Sequence, residues 1–201
     1  TCFMRALVLS DIHANLEALE AVLSDARNRG GFDVIWCLGD TVGYGPDPGA
    51  CVDRIREFDL VAIAGNHDHA AIGLIDARDF NPAAKAAAEW TAGQIDARHV
   101  EFLSSLPFVS VQEPFTLVHG SLRDPIVEYL LDRDSASGTL ALLETKYCFG
   151  YSEGMQQYQC ASLLTAFQHL MRVGTIWESG HNQLGIAFHV WVLNVFPKMN
   201  F

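Results

Sequence analysis

Three short apolar runs, residues 6–9, 34–38 and 60–64, open this 201-residue chain, and the stretches between them carry helical periodicity. After the first run Leu16, Leu19, Ala21, Val22, Leu23 and Ala26 recur at helical spacing until Gly30-Gly31 interrupts them. A turn-rich loop at 43–48 and a helix at 50–58 separate the second run from the third. Strands that alternate with helices are joined by crossovers, which makes neighbouring strands parallel and covers both faces of their sheet. The pattern predicts an α/β fold with a β-sheet core flanked by helices.

The remainder continues that reading. Residues 82–106 are rich in alanine with apolar residues at helical intervals, which predicts one or two helices ended by Pro107. Residues 108–111 and 115–118 form an expected strand pair around Gln112-Glu113-Pro114, and 126–131 and 137–145 are expected short helices. Trp36 and Trp90 are assigned to the core. The length suits one sizeable core, and a composition of 50% hydrophobic and 18% charged residues is that of a globular protein.

A formal charge of −11 argues against a broad basic surface that would track extended nucleic acid or an anionic membrane. Any phosphate handled by such a chain must meet localised positive charge, and bound divalent cations are one source of it. The five cysteines, Cys2, Cys37, Cys51, Cys148 and Cys160, are scattered and lack a C-x-x-C pair. They read as reduced thiols packed as small hydrophobes rather than a disulfide or zinc-thiolate framework. Met4-Arg5 leads directly into an apolar run too short for a secretory signal, so the expected compartment is cytoplasmic. The most apolar late stretch, 184–196, contains His189 and Asn194 and falls short of the roughly 20 residues of a spanning helix.

Each of the three early runs ends in residues that can bind a metal. The first reaches Ser10-Asp11-Ile12-His13, the second Gly39-Asp40, the third Gly65-Asn66-His67-Asp68. Singly, an Asp or Asn at such a point caps a helix or forms a turn. Jointly they differ, because the carboxyl ends of neighbouring strands in an open α/β sheet line one crevice. A later run delivers a fourth group, Val118-His119-Gly120-Ser121, to a strand end.

The ordered set Asp11-Ile12-His13, Gly39-Asp40, Gly65-Asn66-His67-Asp68 and His119-Gly120 resembles the signature of the calcineurin-like metallophosphoesterases. The segments Gly39-Asp40-Thr41-Val42-Gly43-Tyr44-Gly45-Pro46 and His119-Gly120-Ser121-Leu122-Arg123-Asp124-Pro125 further resemble its small bacterial and archaeal branch, which includes phosphodiesterases and diadenosine-tetraphosphatase-like proteins. The resemblance covers about residues 4–148 and implies the layered calcineurin-like fold. It implies two divalent metal ions, with Asp11 and His13 on the first, Asn66 and His119 on the second, and Asp40 bridging them. It makes His67 the general acid or transition-state stabiliser, with Asp68 orienting its ring. Oxygen and imidazole donors suit Mn²⁺, Fe²⁺, Zn²⁺ or Ni²⁺ alike. The implied activity is hydrolysis of a phosphomonoester, phosphodiester or nucleotide polyphosphate bond by a metal-activated hydroxide, on a small phosphate-ester or nucleotide substrate. Tyr44 and Arg123, in loops beside the ligands, are candidate contacts to substrate phosphate.

The family completes its site with a late Gly-His-x-His, and this chain lacks it. At the expected place stands Gly150-Tyr151-Ser152-Glu153, and the later Gly180-His181-Asn182-Gln183 has one histidine. His169, His181 and His189 read as ordinary histidines, with Glu153 an alternative oxygen ligand. Of 13 basic and 24 acidic side chains, only Glu153, Arg172, Glu178 and Lys198 lie beyond residue 148. Residues 149–201 are therefore a part that departs from the family pattern, expected to pack on the same domain. Two accounts fit: a tail that is not the family's own sequence, as after a reading-frame shift, or a divergent branch with a changed site. The departure also leaves open a mononuclear site, or a catalytically impaired protein that acts as a binding or regulatory module.

Overall fold

The computed structural model describes residues 3–145, 147–149 and 189–197. Strand β1 (Phe3–Ser10) runs through the centre, and its four residues Ala6, Leu7, Val8 and Leu9 are each fully buried. Alternate side chains enter different clusters, Leu7 and Leu9 on one face and Ala6 and Val8 on the other. A run buried on both faces has no solvated side to keep polar, hence its uninterrupted apolar character.

Helix α1 (Leu16–Asn28) starts where the Asn15 side chain accepts from the backbone N–H of Ala18, and it buries Leu19, Leu23 and Ala26. Strand β2 (Val34–Cys37) returns parallel to β1 with Val8 opposite Trp36. Helix α2 (Pro48–Ile55) places Pro48 in its first turn, where no N–H is missed, and β3 (Leu60–Ala62) pairs parallel to β2. Strand β7 (His189–Pro197) pairs antiparallel to the other side of β1, giving the order β3-β2-β1-β7. The three early strands pair in parallel as expected, and β7 adds an antiparallel strand at the other edge. The same strand accounts for residues 189–196 of the late apolar stretch. Among the described residues no helix is long and apolar enough to cross a membrane.

Downstream come α3 (Asn66–Ala71), a 3₁₀ turn (Ala77–Asp79), α4 (Pro82–Ala92) and α5 (Ala97–Ser105). A second sheet holds β4 (Val109–Gln112), β5 (Phe115–Val118) and β6 (Tyr147–Phe149) in the order β4-β5-β6, antiparallel then parallel. Helix α6 (Arg133–Leu142) lies between β5 and β6 in sequence and starts four residues before the expected 137, because Asp132 caps it by accepting from Ser135 N–H. The expected helix at 126–131 is instead turn and irregular chain. The carbonyl of Glu128 there accepts from Ser121 N–H, which turns the segment back on the end of β5 and diverts it from a helical ladder.

The layers follow from three clusters. Leu7, Leu9 and Ile35 of the first sheet meet Leu19, Leu23, Cys51 and Ile55 of α1 and α2. On the opposite face Ala6, Val8, Trp36 and Ile63 meet Phe115, Leu117 and Tyr147 of the second sheet. Val42, Val52, Ala71 and Leu103 close the side next to the strand ends. Trp36, 1% exposed, packs edge-on against Phe115 at 5.5 Å and Phe149 at 6.3 Å. Trp36→Ala is expected to cost about 3–5 kcal/mol in urea denaturation, since the cavity lies between two sheets that cannot collapse into it. A loss under about 1 kcal/mol would contradict this packing. Trp90, expected in the core, is 45% exposed on α4, whose buried face is instead made by Ala84, Ala88 and Thr91. Among the described residues Cys37, Cys51 and Cys148 are free thiols in or beside these apolar layers.

Candidate metal centre

The ends of β1, β2 and β3 meet in one crevice, and the backbone there takes conformations that L-residues rarely adopt. Asp11 (φ 58°), His13 (φ 49°), Ala14 (φ 54°), Asp40 (φ 54°) and Tyr44 (φ 59°) all lie in the left-handed region. Each such residue costs on the order of 1–2 kcal/mol, so the surrounding structure must hold it. Here the two loops hold each other: the N–H groups of Asp11, His13 and Ala14 donate to the carbonyls of Gly39, Asp40 and Thr41 at 2.9–3.1 Å. The strain aims acidic and imidazole side chains away from the strand direction and into the crevice.

Asp11, His13 and Asp40 each offer a ligand atom, all within 4.8 Å of one another and all buried. The Nε2 of His13 lies 3.6 Å from Asp11 Oδ1 and 3.9 Å from Asp40 Oδ2. Nε2 of His119 lies 3.5 Å from the same Asp40 Oδ2 and 3.2 Å from Asn66 Oδ1. The Nδ1 of His13 faces the Val42 carbonyl at 3.2 Å, and Nδ1 of His119 faces the Leu38 carbonyl at 2.8 Å. A carbonyl can only accept, so each Nδ1 carries the proton, and in the neutral ring Nε2 is a lone pair. Nε2 of His13 and Nε2 of His119 thus both lie near Asp40 Oδ2, at 3.9 Å and 3.5 Å, with Asp11 Oδ1 beside the first and Asn66 Oδ1 beside the second. This is the arrangement in which metal-binding histidines are held, the far nitrogen fixed by a carbonyl.

Convergent acceptors repel unless positive charge lies between them. Two carboxylates 4 Å apart repel by about 4 kcal/mol at an effective dielectric of 20. The titration of the centre answers that repulsion. Burial pushes the Asp40 carboxyl up to about 7, against the pull of His119 and His13. Burial disfavours charge on His13, but Asp11 and Asp40 outweigh it and carry the imidazole up to about 9. His119 is raised in the same way, burial being overcome by Asp40 and Asp11. Burial also works to raise Asp11, yet His13, His119 and the Ser10 hydroxyl hold its carboxyl below the ordinary value. The centre thus collects positive charge on its imidazoles, and a divalent cation supplies the same charge at the same atoms. The donor set fits such an ion.

His67 stands beside these groups, its ring 5.0 Å from that of His13, 4.6 Å from Tyr44 and 5.0 Å from Phe80. Burial and the charge on His13 depress its pKa to about 3. Its backbone N–H donates to Asp40 Oδ1 at 2.9 Å, which fixes the remaining oxygen of that carboxylate toward the two histidines.

A model of the calcineurin-like phosphoesterases matches residues 4–146. The chain belongs to the calcineurin-like phosphoesterase family. It is 46% identical over 102 residues to "Uncharacterized protein MJ0912" of Methanocaldococcus jannaschii, a match that covers 51% of this chain and 42% of that protein. The crystal structure of a metallophosphoesterase from Sphaerobacter thermophilus superposes with a TM-score of 0.64 at 46% identity, covering 74% of this chain and 60% of that one. Hypothetical protein PH1004 from Pyrococcus horikoshii OT3 shares the fold, with a TM-score of 0.63 at 19% identity over 74% of this chain and 69% of that one. The chain therefore spans about half of the length of the first two relatives.

Within this calcineurin-like frame the candidate residues separate. Asp11, His13, Asp40, Asn66, His67 and His119 meet in the crevice, and Tyr44 stands at its wall, edge-on to His13 at 4.9 Å. Asp68 does not contact the His67 ring: its oxygens accept from the backbone N–H groups of Val42 (3.1 Å) and Gly65 (3.0 Å), while among the described residues Nδ1 of His67 has no hydrogen-bond partner. Consecutive residues of a helix point apart, so Asp68 caps α3 and ties it to the Asp40 loop. The ring of His67 is held by Tyr44, Phe80 and His13 instead. The guanidinium of Arg123 is paired with Glu128 and Asp134. His69 is the fourth residue of α3 and packs on Phe108 at 5.1 Å. The segment Gly150-Tyr151-Ser152-Glu153 and residues His169 and His181 lie outside the described residues; His189 opens β7.

Proposed function

We propose that this chain is a metal-dependent phosphoesterase that hydrolyses a phosphomonoester, phosphodiester or nucleotide polyphosphate bond, with a dinuclear centre as its resident cofactor. The observation that carries this reading is the single oxygen Asp40 Oδ2, flanked at 3.9 Å and 3.5 Å by the Nε2 atoms of His13 and His119. Asp11 and His13 would hold one ion, Asn66 and His119 a second, with Asp40 shared between them. Divalent ions so bound lower the pKa of a shared water and stabilise the charge that develops on the phosphoryl oxygens.

The chain's own groups supply the rest. His67, neutral at pH 7 because burial holds its pKa near 3, donates a ring N–H as a hydrogen bond to the leaving-group oxygen and serves as transition-state stabiliser rather than as imidazolium acid. Tyr44 walls the phosphate site beside it. Asp68 keeps the Asp40 loop against α3 and so fixes the distance between carboxylate and His67. The substrate is a small phosphate ester or nucleotide, in keeping with an acidic chain that meets phosphate at one localised site.

Purified protein with Mn²⁺ is expected to hydrolyse an aryl phosphodiester and to bind two ions per chain by metal analysis. Failure to turn over with any of Mn²⁺, Ni²⁺, Fe²⁺ and Zn²⁺ would replace this reading by that of a binding module, and one ion per chain by that of a mononuclear site.

Metal uptake is expected to grow with pH. In the metal-free protein the His13 proton contributes stability that is complete below the ordinary 6.5 and is lost as pH rises through about 9. Asp40, raised from 3.8 to about 7, keeps a proton that the unfolded chain has released, and that contribution fades over the same interval, 3.8 to about 7. Both groups make metal-free stability fall as pH rises, and a cation competes with the same protons. The rise in Tm on adding Mn²⁺ should therefore be larger at pH 8 than at pH 6; a shift that shrinks with pH would contradict the assignment.

A further inference from the structure

Asn66 is the one candidate ligand that is an amide, and an amide binds a cation through one end only. Its Oδ1 has the lone pairs, while Nδ2 has none to give. The terminal torsion of an asparagine is broad and roughly two-fold, so the side chain by itself has no preference for the useful end. In this structure Oδ1 faces His119 at 3.2 Å, and Nδ2 donates to the hydroxyl of Tyr129 at 3.1 Å.

Tyr129 reaches Asn66 across 63 residues of sequence because the loop after β5 is closed on itself. Gly120 N–H donates to the Pro125 carbonyl and Ser121 N–H to the Glu128 carbonyl, both at 2.8 Å. A Cβ at Gly120 would stand 2.6 Å from the Glu128 oxygen, so only glycine lets the two strands of the loop approach this closely. The Ser121 hydroxyl and the Arg123 guanidinium both hold the Glu128 carboxylate, and Arg123 also pairs with Asp134 of α6. One end of this clamped loop carries His119 and the other Tyr129, and Asn66 touches both.

We propose that Tyr129 is a positioning residue for the metal centre: its hydroxyl anchors Nδ2 of Asn66 and so keeps Oδ1 turned toward His119 and Asp40. The inference rests on the reading of Asn66 and His119 as ligands. A hydroxyl can accept from or donate to an amide, so the tyrosine fixes the plane of the amide, and the 3.2 Å approach of Oδ1 to Nε2 of His119 places the oxygen on that side. Arg123 acts one step further back, as the clamp of Glu128, the neighbour of Tyr129. Without the hydroxyl the amide rotates and Nδ2 loses its partner, while Asp11, His13 and Asp40 keep theirs.

Tyr129→Phe removes one oxygen atom and tests this with two measurements. In the metal-free protein, the side-chain amide resonances of Asn66, assigned by their loss in Asn66→Asp, should shift and broaden in Tyr129→Phe. In a calorimetric titration with Mn²⁺, one of two affinities should fall about 10- to 100-fold, as for other groups that orient a ligand, and the other should stay within about two-fold. Unchanged Asn66 resonances overturn the proposal, as does an equal weakening of both sites, which marks a merely structural effect. Should wild-type protein take up one ion or none, the dinuclear reading fails, and the Asn66 resonances still decide whether Tyr129 orients the amide.

Discussion

Asp40→Asn should abolish hydrolysis while leaving the metal-free fold at least as stable as wild type. The substitution keeps the shape of the side chain, and an amide oxygen can still accept from His67 N–H as Asp40 Oδ1 does at 2.9 Å. What changes is the oxygen between the two histidines. An NH₂ placed there donates to the Nε2 lone pairs of His13 and His119, which fills the gap that wild-type protein fills with protons or cations. The variant thus relieves the burial penalty that pushes the Asp40 carboxyl up to about 7, and it removes a charge that acts on both imidazoles. Loss of that charge should lower kcat/KM by on the order of 10³-fold or more, about 4 kcal/mol of transition-state stabilisation. Metal analysis should show fewer than two ions per chain. The opposite signs matter, because a residue of purely structural importance would lose stability and activity together. Retention of more than about a tenth of wild-type activity would remove Asp40 from the centre of the mechanism.

The parts of this molecule legible in the sequence are those carried by local pattern. The apolar runs ahead of Asp11, Asp40 and Asn66 became β1, β2 and β3: β1 is buried on both faces and must be apolar throughout, while β3, at the edge of the sheet, is half-buried along its length. Their ends converge because parallel strands deliver their carboxyl ends to one edge. Three features were not legible. Left-handed φ at Asp11, His13, Asp40 and Tyr44 does not follow from residue type: Asp and His enter that region more readily than most residues but do not require it, and the packing of two loops enforces it. Trp90 fell on the apolar stripe of an alanine-rich helix, but Ala84, Ala88 and Thr91 are small enough to let α4 approach its neighbours along a different stripe. Tyr129 and Phe80 act on Asn66 and His67 through contacts made only in the folded chain, and no short motif joins them. The ion pairs that Arg123 makes with Glu128 and Asp134 were not foreseen either, because an arginine beside a ligand loop suggests a phosphate contact first. The acidic residues that follow it at 128 and 134 were the available signal.

Among the described glycines, Gly65→Ala carries the largest expected effect of an added methyl group. Gly65 has φ −102° and ψ 171°, which alanine adopts without strain, so the backbone offers no objection. The objection is space. A Cβ at Gly65 would lie 2.0 Å from Asp40 Oδ1 and 2.3 Å from Asp40 N, and the second of these is main chain that no rotamer change can withdraw. Relief requires the Asp40 loop and the start of α3 to separate. That separation would stretch the bond from His67 N–H to Asp40 and the bonds by which Asp68 holds Val42 and Gly65 together. Overpacking of this kind costs about 1–3 kcal/mol in stability, and the displacement of Asp40 adds a loss of metal affinity and turnover well beyond that figure. Gly73→Ala provides the contrast. Gly73 lies at φ +73° with nothing within 4 Å of a new Cβ, so alanine there is strained in its backbone but touches nothing. It should cost about 1–2 kcal/mol in denaturation and leave metal binding and kcat unchanged. If Gly65→Ala retained both metal ions and wild-type turnover, the close approach of α3 to the Asp40 loop would not be what sets the geometry of the centre. If both alanines lowered turnover in proportion to their loss of stability, the effect would be one of folding alone.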